Sequence, residues 1–167
     1  MILSRSVVVT NHTNPADLAP ASPSASACVT VLLLDDHAVI LESVRAALET
    51  DDTVVVVGTA SRVPDAIRLA RRARPQVAVI DVSMPDGGGW AAARGLREVC
   101  PDIRLVAFTS FDNALVIRTI AAAGINAYVT KGSAIEVLLA AIHGEDVMPA
   151  PAQRMPLIRR TVGVWRG

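Results

Sequence analysis

Aromatic residues, cysteines and long apolar runs are all scarce in this chain of 167 residues. Aromatic residues make up only 3% of it and hydrophobic residues 51%, so the core must be built from aliphatic side chains. Two cysteines, Cys28 and Cys100, cannot form a disulfide framework and indicate reduced thiols in a cytoplasmic protein. No apolar run reaches the roughly 18 residues of a membrane-spanning helix. These absences exclude a disulfide-stabilised secreted scaffold and predict no contact with a membrane.

The chain also lacks net charge, with 16 basic and 16 acidic residues, which argues against a strongly basic nucleic-acid-binding protein. The charge is uneven, however. Residues 29–146 contain 11 basic and 15 acidic residues, whereas residues 147–167 contain four arginines and no acid. Residues 1–28 are rich in Pro, Ala and Ser and predict a disordered leader. Residues 147–167 predict an arginine-rich tail or a truncated linker, which leaves 29–146 as the folded domain.

Within residues 29–146, short apolar runs alternate with segments whose apolar residues recur at helical spacing. This alternation predicts five strands, five helices and an α/β fold with a doubly wound parallel sheet. The predicted strands are Val29–Leu34, Thr53–Val57, Gln76–Ile80, Ile103–Phe108 and Asn126–Thr130. The predicted helices are His37–Thr50, Arg62–Arg74, Gly88–Val99, Asn113–Ala123 and Ala134–His143. Ser133 and Glu136 have the spacing of a capping box at the start of the last helix.

Polar residues follow the predicted strands at the edge where ligands bind in such folds. Asp35 and Asp36 follow the first strand, Asp81 the third, Thr109 the fourth and Lys131 the fifth. Three carboxylates at one edge repel one another unless a cation neutralises them, and Mg²⁺ prefers such oxygen ligands. Lys131 adds a positive charge for an anion. The set therefore predicts Mg²⁺-assisted phosphoryl transfer, in which a carboxylate can be the nucleophile.

Structural interpretations compete with the functional ones at several of these positions. Asp35 and Asp36 could simply cap the first helix, and His37 is interpreted as a surface or capping residue at its start. Gly87–Gly89 lack the spacing of a phosphate-binding loop and are interpreted as the turn into the third helix. Trp90 is interpreted as a packing anchor.

Four motifs make the chain resemble the receiver domain of a two-component response regulator. They occur in the family's order, each at the end of a predicted strand, and their wording most resembles the NarL-like subgroup. The motifs are LLLDDH (Leu32–His37), VIDVSMPDGGG (Val79–Gly89), FTSF (Phe108–Phe111) and YVTKG (Tyr128–Gly132). The resemblance covers about residues 29–145. It implies a flavodoxin-like (βα)5 fold with a five-stranded sheet in the order 2-1-3-4-5.

The resemblance also implies a role for each matching residue. Asp81 matches the phosphoacceptor, and Lys131 matches the lysine that binds the phosphoryl group. Thr109 matches the hydroxyl residue that moves toward the phosphoryl oxygens, and Tyr128 the aromatic residue whose rotamer reports that movement. Mg²⁺ is the implied cofactor. Its implied ligands are Asp36 directly, Asp35 often through water, Asp81 and the backbone carbonyl of Ser83.

The implied function is that of a cytoplasmic phosphoacceptor module in a phosphorelay. A histidine kinase or a phosphotransfer protein would phosphorylate Asp81, and no external substrate would be turned over. Phosphorylation is expected to change contacts with a partner, or in a homodimer, through the fourth predicted helix, the fifth strand and the fifth helix. The related subgroup usually continues into a helix-turn-helix domain, for which residues 147–167 are too few, so no DNA-binding domain is expected in this chain.

Three alternatives stay open at this point. The chain could be a truncated DNA-binding transcriptional regulator rather than a natural single-domain receiver. It could instead be a Mg²⁺-dependent phosphohydrolase with an aspartyl nucleophile. Such enzymes usually have a second acid two residues after the nucleophile, and this position is Ser83. Finally, it could be a binding module that keeps the fold without being phosphorylated.

Overall fold

A computed structural model of the chain describes residues 28–84, 88–110, 122, 124–145 and 147. Five strands and four helices alternate within these residues. The strands are β1 (Val29–Leu34), β2 (Val54–Ala60), β3 (Val77–Ile80), β4 (Arg104–Thr109) and β5 (Ala127–Thr130). The helices are α1 (Ala38–Leu48), α2 (Val63–Ala73), α3 (Gly88–Val99) and α4 (Ile135–Ile142). The helix predicted over 113–123, the predicted leader and the predicted tail lie outside the described residues, apart from single positions.

The five strands form one parallel sheet in the order β2-β1-β3-β4-β5, which confirms the predicted fold and strand order. The chain passes from β1 outward to β2 and then crosses back to β3. The winding direction therefore reverses beside β1 and β3, where a crevice opens at the carboxyl edge of the sheet. Strand β2 continues to Ala60, beyond the predicted end at Val57. A register shift between Val31 and Leu32 pairs this extension with the end of β1.

Alternate side chains of the inner strands enter two separate core layers. Leu32 of β1 and Ile80 of β3 pack on the side of α2 and α3, whereas Leu33 and Val79 pack on the side of α1 and α4. Tyr128 is the only aromatic residue among the fully buried hydrophobic residues of the described ranges, which confirms the aliphatic core. No helix among those ranges is both long enough and apolar enough to cross a membrane.

The connection from β3 to α3 depends on close packing at two glycines. Gly88 has a φ of +59°, and a Cβ there would lie 2.8 Å from the carbonyl oxygen of Val82. A Cβ on Gly89 would lie 2.9 Å from the Cα of Val82. These contacts support the interpretation of the glycines as a turn into the helix. The expectation for Trp90 is wrong, because α3 buries the face carrying Ala92 and leaves this indole 50% exposed.

The predicted capping box at the last helix is also wrong. Helix α4 has Ala134 at its N-cap and no side-chain capping hydrogen bond there. The hydroxyl of Ser133 instead forms a hydrogen bond of 2.7 Å with the hydroxyl of Thr130 at the end of β5. A serine hydroxyl competes for any nearby partner, so the spacing alone does not decide which one it takes.

The chain that leaves α4 is tied back to the sheet by three hydrogen bonds. Arg104 of β4 donates from Nε to the carbonyl oxygen of Ala141 (2.8 Å) and from a terminal guanidinium nitrogen to that of Glu145 (2.9 Å). The backbone N–H of Tyr128 donates to the carbonyl oxygen of Val147 at 2.8 Å. The free edge of β5 is therefore paired at Tyr128 with the chain that follows α4.

The close approach at Gly89 predicts that Gly89→Ala destabilises the domain by about 1–3 kcal/mol, because the added methyl meets backbone that cannot rotate away. A glycine-to-alanine change without such a clash would stabilise by about 0.5–1 kcal/mol. Urea denaturation measures the free energy of unfolding. Arg94→Ala, an exposed change in the same helix, should stay within about 0.5 kcal/mol of the wild type. A Gly89→Ala variant as stable as the wild type would contradict the packing.

Candidate functional site

Two backbone hydrogen bonds continue the sheet beyond the ends of β1 and β3 and bring two aspartates side by side. The N–H of Asp35 donates to the carbonyl oxygen of Ala60 (3.2 Å), and the N–H of Asp81 donates to that of Leu34 (2.8 Å). Both aspartates are buried, with 4% and 3% of their surface exposed. Asp36 follows Asp35 but points toward solvent, with 34% of its side chain exposed. The sheet thus positions two inner carboxylates and one outer carboxylate at one edge.

Lys131 crosses this edge from the end of β5 and contacts both buried carboxylates. Its N–H donates to the carbonyl oxygen of Thr109 at 2.8 Å, which continues the pairing of β5 with β4. Its Nζ donates to Oδ2 of Asp81 at 2.9 Å and forms an ion pair of 2.5 Å with Oδ2 of Asp35. Only 13% of the lysine side chain is exposed. One ammonium therefore joins the two inner carboxylates.

The charge state of Lys131 reflects two opposing effects. Burial alone would lower the pKa of the ammonium, because a low dielectric disfavours the charged form. The hydrogen bonds and charges of Asp35 and Asp81 outweigh burial and raise this pKa above the ordinary lysine value. Lys131 is consequently a permanent cation at neutral pH.

The second oxygen of Asp81 is held by the loop that follows β3. Oδ1 accepts hydrogen bonds of 3.0 Å from both the backbone N–H and the hydroxyl of Ser83. With Lys131 on Oδ2, both carboxylate oxygens have donors, and the carboxyl plane is fixed in one orientation. The sequence points to the backbone carbonyl of Ser83 and to its place two residues after Asp81, but it does not predict the side-chain contact with Asp81.

Thr109 and Tyr128 occupy neighbouring strands behind this edge. Thr109 is fully buried at the end of β4, where its carbonyl accepts the hydrogen bond from Lys131. Tyr128 is 2% exposed and belongs to the core layer on the side of α2 and α3. The structure therefore brings Thr109 to the site edge and places Tyr128 three residues before Lys131 on the same strand.

His37 is an exposed residue at the start of α1, as the sequence pattern indicated, and its ring also lies beside the site. It is the N-cap of α1, as expected, but makes no side-chain capping hydrogen bond. Its Nδ1 lies 2.9 Å from Oδ1 of Asp36 and 3.2 Å from Oδ1 of Asp35. Its position directly after the two aspartates was the available signal, but the orientation of the ring could not be read from it.

The donor set suits a divalent cation. One ligand atom each from Asp35, Asp36, His37 and Asp81 can be chosen so that all four lie within 4.8 Å of one another. Three carboxylates against the single ammonium of Lys131 leave two negative charges, which one dication would balance. Carboxylate oxygens at an open, partly exposed edge are ligands that Mg²⁺ accepts while keeping several waters.

The family model described as the response regulator receiver domain matches residues 31–143. The chain belongs to this family. A receiver domain is the phosphoacceptor signalling module of a two-component system, and phosphorylation of an aspartate by a histidine kinase is the general family role. Mg²⁺ binding at an acidic pocket is also general in the family.

Two curated regulators illustrate the relationship. The response regulator GacA of Pseudomonas aeruginosa is 34% identical over 114 residues, which are 68% of this chain and 53% of GacA. The DNA-binding transcriptional activator DevR/DosR of Mycobacterium tuberculosis is 38% identical over 103 residues, 62% of this chain and 48% of that protein. The receiver chain spans about half the length of the curated relatives it matches.

Solved structures support the same placement. A LuxR-family response regulator from Aurantimonas sp. SI85-9A1 is similar with a TM-score of 0.68 and 30% identity, over 76% of this chain and 94% of that one. The isolated receiver domain of RcsB from Salmonella enterica, with a TM-score of 0.66 and 24% identity over 76% of this chain and 97% of that one, shows the fold alone. The predicted similarity to NarL-like regulators is thus confirmed.

The double contact of Lys131 predicts that Lys131→Met destabilises the receiver domain, because Asp35 and Asp81 lose their cation. We expect a loss of roughly 2–3 kcal/mol, somewhat less than for breaking a fully buried ion pair. Added Mg²⁺ should restore part of the loss. The difference in stability between the wild type and Lys131→Met should persist from neutral pH up to pH 10.5, the ordinary pKa of lysine. The reason is that the pKa of Lys131 is raised above that value. The difference should shrink only as the pH rises through the raised pKa.

Chemical denaturation between pH 7 and pH 11 measures this difference. The matched control is Arg45→Met, which removes an exposed ion pair of 2.8 Å with Glu49 and should change stability much less, because water screens an exposed pair. If both variants lose the same small amount, the ion pairs of Lys131 do not stabilise the fold.

Proposed function

We propose that Asp81 accepts a phosphoryl group from the phosphohistidine of a partner kinase or phosphotransfer protein. The observation that carries this proposal is the placement of the Asp81 carboxylate. It is buried at the carboxyl edge between the ammonium of Lys131 and the loop donors of Ser83, beside two further carboxylates. This arrangement keeps the carboxylate oriented toward the crevice and surrounds it with charge that phosphoryl transfer requires.

In the transfer, an oxygen of Asp81 forms a bond to phosphorus as the nitrogen–phosphorus bond of the donor breaks. The bonding electron pair returns to the imidazole nitrogen of the kinase, which then takes up a proton. Oδ2 accepts a hydrogen bond from Lys131 and has a second lone pair, so it can attack while Oδ1 stays bonded to Ser83. Lys131 can then move its contact from Oδ2 of Asp81 to a phosphoryl oxygen, so that the ammonium stabilises the charge of the transferring group.

The divalent cation would be held by Asp36, Asp35, Asp81 and the backbone carbonyl of Ser83. When bound, Mg²⁺ supplies positive charge that offsets the negative charge of the phosphoryl group and the carboxylates. The carboxylates of the chain would hold this charge at the same edge as Asp81, and Lys131 supplies a further positive charge at Oδ2 of Asp81.

The response to phosphorylation would begin at Thr109 and reach Tyr128. The hydroxyl of Thr109 moves toward the new phosphoryl oxygens, because a buried hydroxyl gains a charge-assisted hydrogen bond there. Lys131 is bonded to the carbonyl of Thr109 and follows Tyr128 on β5, so a shift at the end of β4 alters the packing around Tyr128. This shift changes the face presented by β5 and α4 to a partner or to a second copy of the chain.

The phosphohydrolase alternative gains no support from the geometry. Ser83 donates its hydroxyl to Asp81, and a serine cannot protonate a leaving group as a carboxylic acid does. We therefore propose a module that is phosphorylated without turnover of an external substrate, in the cytoplasm. DevR/DosR is a DNA-binding transcriptional activator. For this protein, we propose that phosphorylation acts through contacts with DNA, with another protein or with a second copy of the chain. These contacts extend beyond the described receiver domain.

Phosphorylation is expected on Asp81 alone. With Mg²⁺ and acetyl phosphate, the wild type should acquire an acid-stable, base-labile phosphate, and borohydride reduction followed by peptide mass spectrometry should locate it at Asp81. Asp81→Asn should abolish the label, and EDTA should prevent it in the wild type. Asp65→Asn, which removes an exposed carboxylate of α2, should be labelled as the wild type is. A persistent label in Asp81→Asn would refute the assignment.

Thr109→Val is expected to leave phosphorylation of Asp81 intact but to prevent the structural change that follows it at β5. The variant keeps its shape and its Asp81, so it should accept phosphate but lose the phosphorylation-dependent change at β5. Hydrogen exchange of the Tyr128 and Lys131 amides, with and without phosphorylation, measures that change. Thr130→Val is the matched control, since Thr130 pairs with Thr109 in the sheet and should respond as the wild type does. If phosphorylation changes the exchange of these amides in Thr109→Val as it does in the wild type, Thr109 is not the residue that starts the structural change.

A further inference from the structure

His37 is held against the carboxylates by its own backbone. The N–H of His37 donates to Oδ1 of Asp35 at 2.9 Å, which closes a tight turn between the two residues. The same carboxylate oxygen lies 3.2 Å from the ring Nδ1. The turn fixes the start of the histidine side chain beside the donor set, although 67% of that side chain remains exposed to solvent.

The position of Nδ1 matches that of a neighbouring ligand on a shared ion. Adjacent ligands of an octahedral ion with bonds of about 2.1 Å lie about 3 Å apart. Nδ1 lies 2.9 Å from Oδ1 of Asp36 and 3.2 Å from Oδ1 of Asp35, and a ligand atom of Asp81 completes the group within 4.8 Å. One nitrogen and three carboxylates can therefore converge on one dication with little rearrangement of the side chains.

An imidazole in this set changes which ion is preferred. Mg²⁺ favours oxygen ligands and gains little from nitrogen, whereas first-row transition ions bind imidazole well and follow the Irving–Williams order. We propose that His37 Nδ1 is a further metal ligand, so that this receiver site binds a first-row transition dication such as Mn²⁺ more tightly than Mg²⁺. This inference rests on the proposed function, because it uses the same carboxylates.

A competing explanation is that His37 only forms hydrogen bonds with Asp35 and Asp36. In that case the ring would stabilise the carboxylates without touching the metal, and removing it would affect every dication alike. A directly bound nitrogen differs in two ways. It discriminates among ions, and its nuclear spin couples to the unpaired electrons of a paramagnetic ion.

The experiment uses the full chain with Mn²⁺ or Mg²⁺ at pH 8. Pulsed electron paramagnetic resonance of the Mn²⁺ complex should show ¹⁴N modulation in the wild type, and this modulation should disappear in His37→Gln. Calorimetric titration should show a loss of Mn²⁺ affinity on the order of tenfold in His37→Gln, with Mg²⁺ affinity nearly unchanged. His12→Gln and His143→Gln, the other two histidine positions of the chain, should both retain the modulation.

Absence of ¹⁴N modulation in the wild type, its persistence in His37→Gln, or equal losses of Mg²⁺ and Mn²⁺ affinity would each overturn the inference. Asp36→Asn separates it from the proposed function and should weaken binding of both ions. If Mg²⁺ binds and Asp81 is labelled but His37→Gln changes nothing, only the role of His37 fails. If the wild type binds neither ion and Asp81 is not labelled, the proposed function fails as well.

Discussion

The contact of one ammonium with two buried carboxylates is the interaction on which this site depends. Asp35 and Asp81 end adjacent strands, so the sheet forces their like charges together at its carboxyl edge. Without Lys131, two nearly buried anions would face each other without a cation, and such an arrangement is costly. Lys131 reaches both only because β5 is anchored to β4 through Thr109. The charge balance of the site therefore requires the intact order of the sheet.

The ammonium of Lys131 neutralises only part of the negative charge of the carboxylates, and the remaining negative charge suits the site to binding a dication. The three carboxylates exceed the single ammonium by two charges, which leaves the edge attractive to a dication. A dication and Lys131 together would neutralise the three carboxylates, so that the edge no longer repels a phosphoryl group. Electrostatic preorganisation of this kind needs no large movement at the moment of transfer. Ser83 contributes by fixing the remaining oxygen of Asp81, so the proposed nucleophile is oriented before a donor arrives.

Strand ends could be predicted from the sequence because buried parallel strands are continuous apolar runs, and topology then places their last residues at one edge. Asp35, Asp81 and Lys131 were found in this way, whereas the strand order came from the resemblance to receiver domains. Side-chain orientations could not be predicted, because they depend on dihedral angles that spacing does not encode. Three orientations could not be predicted for this reason: those of the His37 ring, the Ser83 hydroxyl and the exposed Trp90 indole. Local competition for hydrogen bonds likewise decided the start of α4.

The hydrogen bond between Tyr128 and Val147 gives the domain a mechanical connection that does not pass through a helix. Strand β5 has four residues, so Tyr128 and Lys131 are about 10 Å apart along it. Lys131, at one end of this strand, supplies the ammonium of the site. Tyr128, near the other end, is hydrogen-bonded to the chain that follows α4. Coupling between two sites is reciprocal. If Asp81 is phosphorylated as proposed, a binding partner that pulls on the chain at Val147 should alter how readily it accepts the phosphoryl group, and phosphorylation should in turn alter the exit of the chain.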